Sequence, residues 1–370
     1  AIPKKIVKIM NTPYKIMLWT VLGLFSIPAA WTQESLSKTV EKTFALSNAG
    51  ELKMENKYGT ITLNGWDKEE VAVSVSITVN HRKKENAKDL LKRIRPEFRS
   101  GSDYVSVVSA IANKNTGWFA DFFNKTNPID FDRGHVHIDY EVFLPSKAEL
   151  RITNRFGDVY IEGWSGPLNA TIEHGDLWVG EDLNRVDVIL KFGKIRARNM
   201  DYASIDLKNG ELDMENSKSL RLNSSGSRMD FNSVTSLEIY SNKDNIAMEE
   251  SDVVYGNLKF TTFNLQRLGN DVDLTLKIAD MRINGILQPE AHIALKQESS
   301  DISLDVNGFS HEFNAILEQG MVRLPKSFQN VNSNMLYKGK RLREINASYG
   351  TGAKGSIAIS GKKGIVTLRE

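Results

Sequence analysis

The chain has 370 residues, no cysteine, and 48 basic against 46 acidic side chains. The absence of cysteine excludes disulfides, zinc–thiolate sites and an acylated lipoprotein cysteine. Four of the basic residues (Lys4, Lys5, Lys8, Lys15) and none of the acids precede position 33, so the remainder is near neutral. It lacks the basic excess of a nucleic-acid binder, which argues against nucleic acid as a partner.

Ile16 to Ala30 is an uncharged, mostly apolar run after Lys15. It is short for a bilayer span and fits the core of a secretory signal. Ala30 and Thr32 place small residues before Gln33, the preferred cleavage point, with Ala30 the alternative, and Ala1 to Ile9 reads as upstream extension. Residues 1–32 are therefore read as a signal peptide. The mature protein is expected outside the cytoplasm, in the periplasm or at the cell surface of a Gram-negative bacterium. No C-terminal transmembrane anchor is visible in the sequence.

Residues 33–145 read as a β-rich cap with one helix. Asn56-Lys-Tyr-Gly59-Thr-Ile-Thr-Leu63-Asn-Gly65-Trp66 matches Asn154-Arg-Phe-Gly157-Asp-Val-Tyr-Ile161-Glu-Gly163-Trp164 almost position by position. An alternating strand, Val71 to Val79, follows it. Lys83 to Arg95 then has the period of an amphipathic helix, with Leu90, Leu91 and Ile94 on one side and Pro96 ending it. Strands are predicted at Tyr104–Ile111 and His135–Leu144. Between them, Ala112–Gly134 gathers Trp118, Phe119, Phe122, Phe123 and Phe131. Five aromatics would be costly to leave in water. The segment is expected either to fold down as a lid or to form a contact for a partner or a membrane surface.

From residue 146 to 370 a Gly-polar-apolar-polar-apolar step recurs. It runs Gly157–Ile161, Gly175–Val179, Gly193–Ala197 and Gly210–Met214, then less strictly Ser227–Phe231 and Asp244–Met248. The first apolar residues, Val159, Leu177, Ile195, Leu212, Met229 and Ile246, keep a spacing of 17 or 18 residues. Beyond them the spacing loosens through Leu265, Met281, Ile302 and Val322. A second alternating segment lies between steps, for example Ala203-Ser-Ile205-Asp-Leu207. Each unit of about 18 residues thus holds two short strands and cannot bury both faces alone, so stacked units share one core. The fold class read from this is all-β, a β-solenoid with an N-terminal β-rich cap containing one helix. A β-sandwich of hairpins also has short strands and regular turns, but equal spacing favours the solenoid. The corner glycines are expected to need positive φ.

The NKYGTITLNGWD segment, the strand ending HIDYEVFLP and the NRFGDVYIEGW block resemble the "putative adhesin" family of β-strand-repeat domains. That family is common in envelope proteins of Bacteroidetes-type bacteria. The resemblance covers roughly residues 40–368, and its motifs are structural. It implies the solenoid fold and surface adhesion, and it carries no catalytic residues with it.

In register, the outward residue of each step would build a ladder: Tyr160, Trp178, Arg196, Asp213, Asp230 and Ala247. Beside it would run Glu162, Gly180, Arg198, Glu215, Asn232 and Glu249. Two aromatics leading into arginines and acids suit a glycan, although Arg196 and Arg198 are also placed to neutralise Asp213 and Glu215. His135, His137, Asp139 and Glu141 have metal-ligand spacing, but their opposite face is apolar, which a solvated strand face explains more simply. The remaining histidines form no Ser/His/Asp arrangement and no phosphate loop precedes a helix, so no cofactor is expected. The reading is a non-enzymatic, adhesin-like binding protein whose partner is a polysaccharide, an envelope protein or another copy. The alternatives are a β-helical carbohydrate-active enzyme and a self-associating scaffold.

Overall fold

A computed structural model of the protein describes residues 34–111 and 136–370. The sequence steps become strands that alternate inward and outward, and the chain turns a corner after each one. In order these are β1 (Glu34–Ala45), β2 (Glu51–Tyr58), β3 (Ile61–Trp66) and β4 (Glu70–His81), then helix α1 (Lys84–Arg93). β5 (Ile94–Ser100), β6 (Tyr104–Ile111), β7 (Val136–Pro145), β8 (Glu149–Phe156), β9 (Val159–Glu162), β10 (Leu168–Glu173), β11 (Leu177–Val179) and β12 (Leu183–Lys191) follow. Five long strands come next: β13 (Lys194–Lys208), β14 (Glu211–Ser225), β15 (Arg228–Asn242), β16 (Asn245–Lys259) and β17 (Thr262–Lys277). Each carries the end of one coil and the start of the next. The chain closes with β18 (Asp280–Ile283), β19 (His292–Glu298), β20 (Asp301–Asp305), β21 (His311–Glu318) and β22 (Met321–Arg323). Last come β23 (Gln329–Tyr337), β24 (Leu342–Tyr349), β25 (Gly355–Lys362) and β26 (Ile365–Arg369).

The protein is an all-β solenoid with one helix among the described residues. Successive coils pair in parallel, and among the described residues antiparallel pairs occur only at the two ends, as β1–β4, β4–β7, β5–β6, β21–β24 and β23–β24. Inside, Val159, Leu177, Ile195, Leu212, Met229, Ile246, Phe263 and Met281 lie in one paired, buried row. Each such side chain is worth roughly 1.5–3 kcal/mol over leaving it in water. Phe263, not Leu265, continues the row after Ile246, so the repeat stays regular one coil further than the sequence spacing suggests. The ladder also runs unbroken past position 146, because β2 pairs with β8 and β3 with β9.

Both ends are interleaved. β2 and β3 come early in the chain, yet they lie between the β6/β7 coil and the β8/β9 coil. At the other end the final strands enter the stack between earlier ones. β25 pairs with both β19 and β21, and β26 with both β20 and β22. Antiparallel strands then finish each end, with α1 packed on β1 and β4 at the first. The helix stops at Arg93, short of the predicted Arg95, because Pro96 disfavours helical backbone in the residue before it. Lys38 Nζ donates to the carbonyls of Leu91 (2.9 Å) and Ile94 (2.7 Å) and so caps the helix end.

The corner glycines hold a different role from the expected one. Gly157 has φ 145°, but at the next corners positive φ falls one residue earlier, on His174 (56°), Phe192 (58°) and Asn209 (49°). Gly175, Gly193 and Gly210 are needed for close approach. A Cβ there would lie 2.0, 1.9 and 2.6 Å from the carbonyl oxygen of the glycine one coil below. Rings stack along this corner, carried by left-handed His174 and Phe192 and by Tyr58 and Phe156, which precede Gly59 and Gly157. Centroids are 5.5 Å apart for Tyr58–Phe156, 5.2 Å for Phe156–His174 and 4.8 Å for His174–Phe192.

Candidate functional site

The ladder anticipated from the sequence exists as a ladder of paired residues. Tyr160 pairs with Trp178, Trp178 with Arg196, Arg196 with Asp213, Asp213 with Asp230, and Asp230 with Ala247. Its flanking apolar residues are buried, apart from half-buried Ala197, which turns every side chain between them to solvent. A shallow groove of about 300 Å³ lies along it, lined by Tyr160, Glu162, Trp178, Arg196, Arg198 and Asp213 among others. Exposed Gly180 contributes a dip between Glu162 and Arg198, and nothing in the coil stack demands a glycine there. An added Cβ would meet no atom closer than 3.5 Å.

The charges pair differently from the sequence expectation. Arg196 lies over the Trp178 ring, 4.4 Å from its centroid, instead of against Asp213. Arg198 faces Asp182 at 3.7 Å, and Asp213 has Lys194 at 3.9 Å. The physical reason is reach: guanidinium and indole planes on adjacent strands stack face on, desolvating apolar surface that a carboxylate would not cover. Tyr160 sits 6.0 Å from the Trp178 centroid at a tilt of 37°, and its hydroxyl donates to Asp158 Oδ2 at 3.2 Å. Partial burial, together with the Asp158 and Asp176 carboxylates, pushes the Tyr160 phenol up from its ordinary value, so it stays a neutral donor. With one Trp178 face covered, a ligand would meet the ring edge, the Tyr160 hydroxyl, the guanidinium groups and the exposed carboxylates of Asp213 and Glu215. These are hydrogen-bonding groups spaced along a flat surface.

The metal-type spacing on β7 resolves otherwise. His137 and Glu141 are exposed, while Asp139 Oδ1 accepts the Thr60 amide at 2.8 Å. His135 lies outside the described residues, as does the aromatic segment with Trp118, Phe119, Phe122 and Phe123. Among the described residues no group of three or more His, Asp or Glu converges as metal ligands would.

Sequence reasoning missed what the Asp after Gly157 and after Gly175 does. Asp158 Oδ1 accepts the Asp176 amide at 2.9 Å, and Asp176 Oδ1 accepts the Lys194 amide at 2.8 Å. Each carboxylate holds the next corner, and the recurring Gly-Asp pair is the signal that marks it. Later the glycine's place passes to Ser227 and Asp244. Buried Asp244 accepts from Ser224 and Ser241 hydroxyls, both at 2.6 Å, and from the Ser227 amide at 2.7 Å.

No family model matches the chain, and no curated protein matches it. Solved structures do. The chain is similar to a putative cell adhesion protein from Clostridium sporogenes at 10% identity, covering 90% of this chain and 99% of that one, with TM-score 0.17. A putative adhesin from Bacteroides fragilis is 9% identical over 90% of this chain and 97% of its own, with TM-score 0.28. One from Parabacteroides merdae is 11% identical over 72% and 96%, with TM-score 0.31. These neighbours bear the description that the sequence resemblance implied.

Proposed function

We propose that this is an exported, non-enzymatic, adhesin-like binding protein that takes a glycan along the Tyr160–Asp230 ladder. The observation that carries the reading is the paired run Tyr160–Trp178–Arg196–Asp213 bordering one groove. Aromatic edges next to fixed donors and acceptors suit a chain of hydroxyl-bearing rings. Export rests on the apolar run Ile16–Ala30 after Lys15. Among the described residues no helix is long and apolar enough to cross a membrane.

The test is a glycan array on the wild-type protein and a Trp178→Ala/Arg196→Ala double variant with an unchanged circular-dichroism spectrum. Binding by the wild type and its loss in the variant is the expected result. Equal binding by both would move the site elsewhere. For export, N-terminal sequencing of the protein recovered outside the cytoplasm should begin near Gln33. Recovery only from the cytoplasm, with Ile16–Ala30 intact, would defeat that part.

A further inference from the structure

Every residue from Gln329 to Arg341 is exposed, the longest such run among the described residues. It covers all of β23 and the turn to β24. It includes Val331 (56% exposed), Met335 (39%), Leu336 (46%) and Tyr337 (56%). The turn reads Lys338-Gly-Lys340-Arg341-Leu-Arg343, four cations and no acid in six residues of a chain that is nearly neutral overall. None of the four has an ion-pair partner among the described residues. Arg343 Nη1 instead donates to Ser333 Oγ at 2.7 Å. The neighbouring acid, Glu344, is engaged by Asn314 Nδ2 at 3.2 Å.

The strand is also an edge, paired only with β24 among the described residues, and irregular in register at Gln329/Asn332 and Met335/Tyr337. The opposite end of the solenoid protects its edge strands in the usual manner. β1 carries Lys38, Glu41 and Lys42, and β5 carries Arg95, Pro96, Glu97 and Arg99. β23 has neither a charge nor a proline in its nine residues. Long apolar side chains and a tyrosine thus stand beside uncompensated cations on a projecting hairpin. That combination matches an anionic lipid surface. Each Lys or Arg near such a surface gains about 1 kcal/mol, while apolar side chains gain by leaving water and tyrosine settles at headgroup level. An acidic polymer would answer the charge but leave Leu336 and Tyr337 in water. Two-fold pairing of β23 with a second copy would set each basic turn beside the other's Lys326, a like-charge contact.

We propose that the β23–β24 hairpin docks the C-terminal end of the solenoid on an anionic bilayer. Leu336 and Tyr337 enter the headgroup layer, and Lys338, Lys340, Arg341 and Arg343 pair with lipid phosphates. The inference is independent of the Tyr160 ladder, which lies on other coils and would stay open to solvent.

The test is co-sedimentation of the full chain with vesicles of phosphatidylcholine alone or with 30% phosphatidylglycerol, at low and high salt. The apolar run Ile16–Ala30 is common to every variant, so the readout is the increment that phosphatidylglycerol adds. That increment should be large for the wild type and shrink with salt. It should fall about tenfold or more in Lys338→Glu/Lys340→Glu/Arg341→Glu, and clearly in Leu336→Ser/Tyr337→Ser, where the charge is intact. All these residues are exposed, and unchanged circular dichroism checks that the variants fold. An unchanged increment in the glutamate variant would overturn the proposal. An unchanged increment in the serine variant would overturn the lipid assignment in favour of an acidic polymer.

Discussion

The two ends of this solenoid solve one problem with different materials. Each must close an open stack of parallel strands, and each does so with antiparallel strands and an interleaved coil. At the N-terminal end the seal is buried and guarded, with α1 over the last strands and charges with a proline along the outer edges. At the C-terminal end the last hairpin projects, uncharged along its strand and basic at its turn. Their buried polar groups differ as well. Tyr140 at the first end shares a 2.5 Å hydrogen bond with Ser109, and burial pushes its phenol far up, so it is neutral at every physiological pH. His311 at the second stacks on Phe309, with centroids 4.9 Å apart, and its Nε2 has no hydrogen-bond partner among the described residues. The middle coils need only the repeat. The ends need long-range order, and there the molecule puts its differences.

The sharpest way to break the comparison is to remove an interleaved coil. Truncation after Thr351 deletes β25 and β26, which bridge β19/β20 to β21/β22. The last coils should then unfold, read as new protease cleavage between residues 290 and 350, whereas an ordinary terminal coil would be lost without disturbing its neighbours. A smaller effect separates two glycines. Gly193→Ala drives a Cβ to 1.9 Å from the Gly175 carbonyl and should cost on the order of 2–4 kcal/mol in denaturant unfolding. Gly180→Ala has room and should stay within about 0.5 kcal/mol. Equal effects would mean that close approach to the coil below is not what requires a glycine at the corner.

These glycines show where the sequence was legible and where it was not. Period-2 alternation marks which residues turn inward, because burying one face is a local requirement. It therefore recovered the Val159–Ile246 row and the outward ladder from Tyr160 to Asp230. It could not tell a glycine kept for φ from one kept for contact with a coil 18 residues away, since both look alike in one dimension. The spacing 246, 265, 281 chose Leu265 over Phe263 because either alternates correctly. Arg196 on Trp178 was hidden for a related reason: ladder neighbours were clear, but which of two neighbours a long side chain leans on depends on the local packing. The order of coils at the ends left no periodic trace at all.

Acid should sharpen the contrast with the least perturbation. Burial holds the His311 imidazole below its usual value of 6.5, against smaller opposing effects of the Phe309 carbonyl and Glu312. The unfolded chain therefore binds the proton more readily. The stabilisation is fully present above pH 6.5 and is lost as pH falls through the lowered folded value, at up to about 1.4 kcal/mol per pH unit. Hydrogen exchange between pH 7 and 5 should loosen β21 and β24 while β2 and β7 stay protected. His311→Phe should remove the pH dependence. Equal loosening at both ends would assign the effect to general acid destabilisation.

The interleaved C-terminal coil can be tested directly because the chain has no cysteine of its own. His292 of β19 and Glu312 of β21 both pair with Ser356 of β25 from opposite sides. Paired residues on adjacent strands lie within disulfide reach, and residues two strands apart do not. Oxidised double variants should therefore cross-link at His292→Cys/Ser356→Cys and at Glu312→Cys/Ser356→Cys, but not at His292→Cys/Glu312→Cys. A ready disulfide in the third, with none in the first two, would place β21 directly on β19 and contradict the interleaved end.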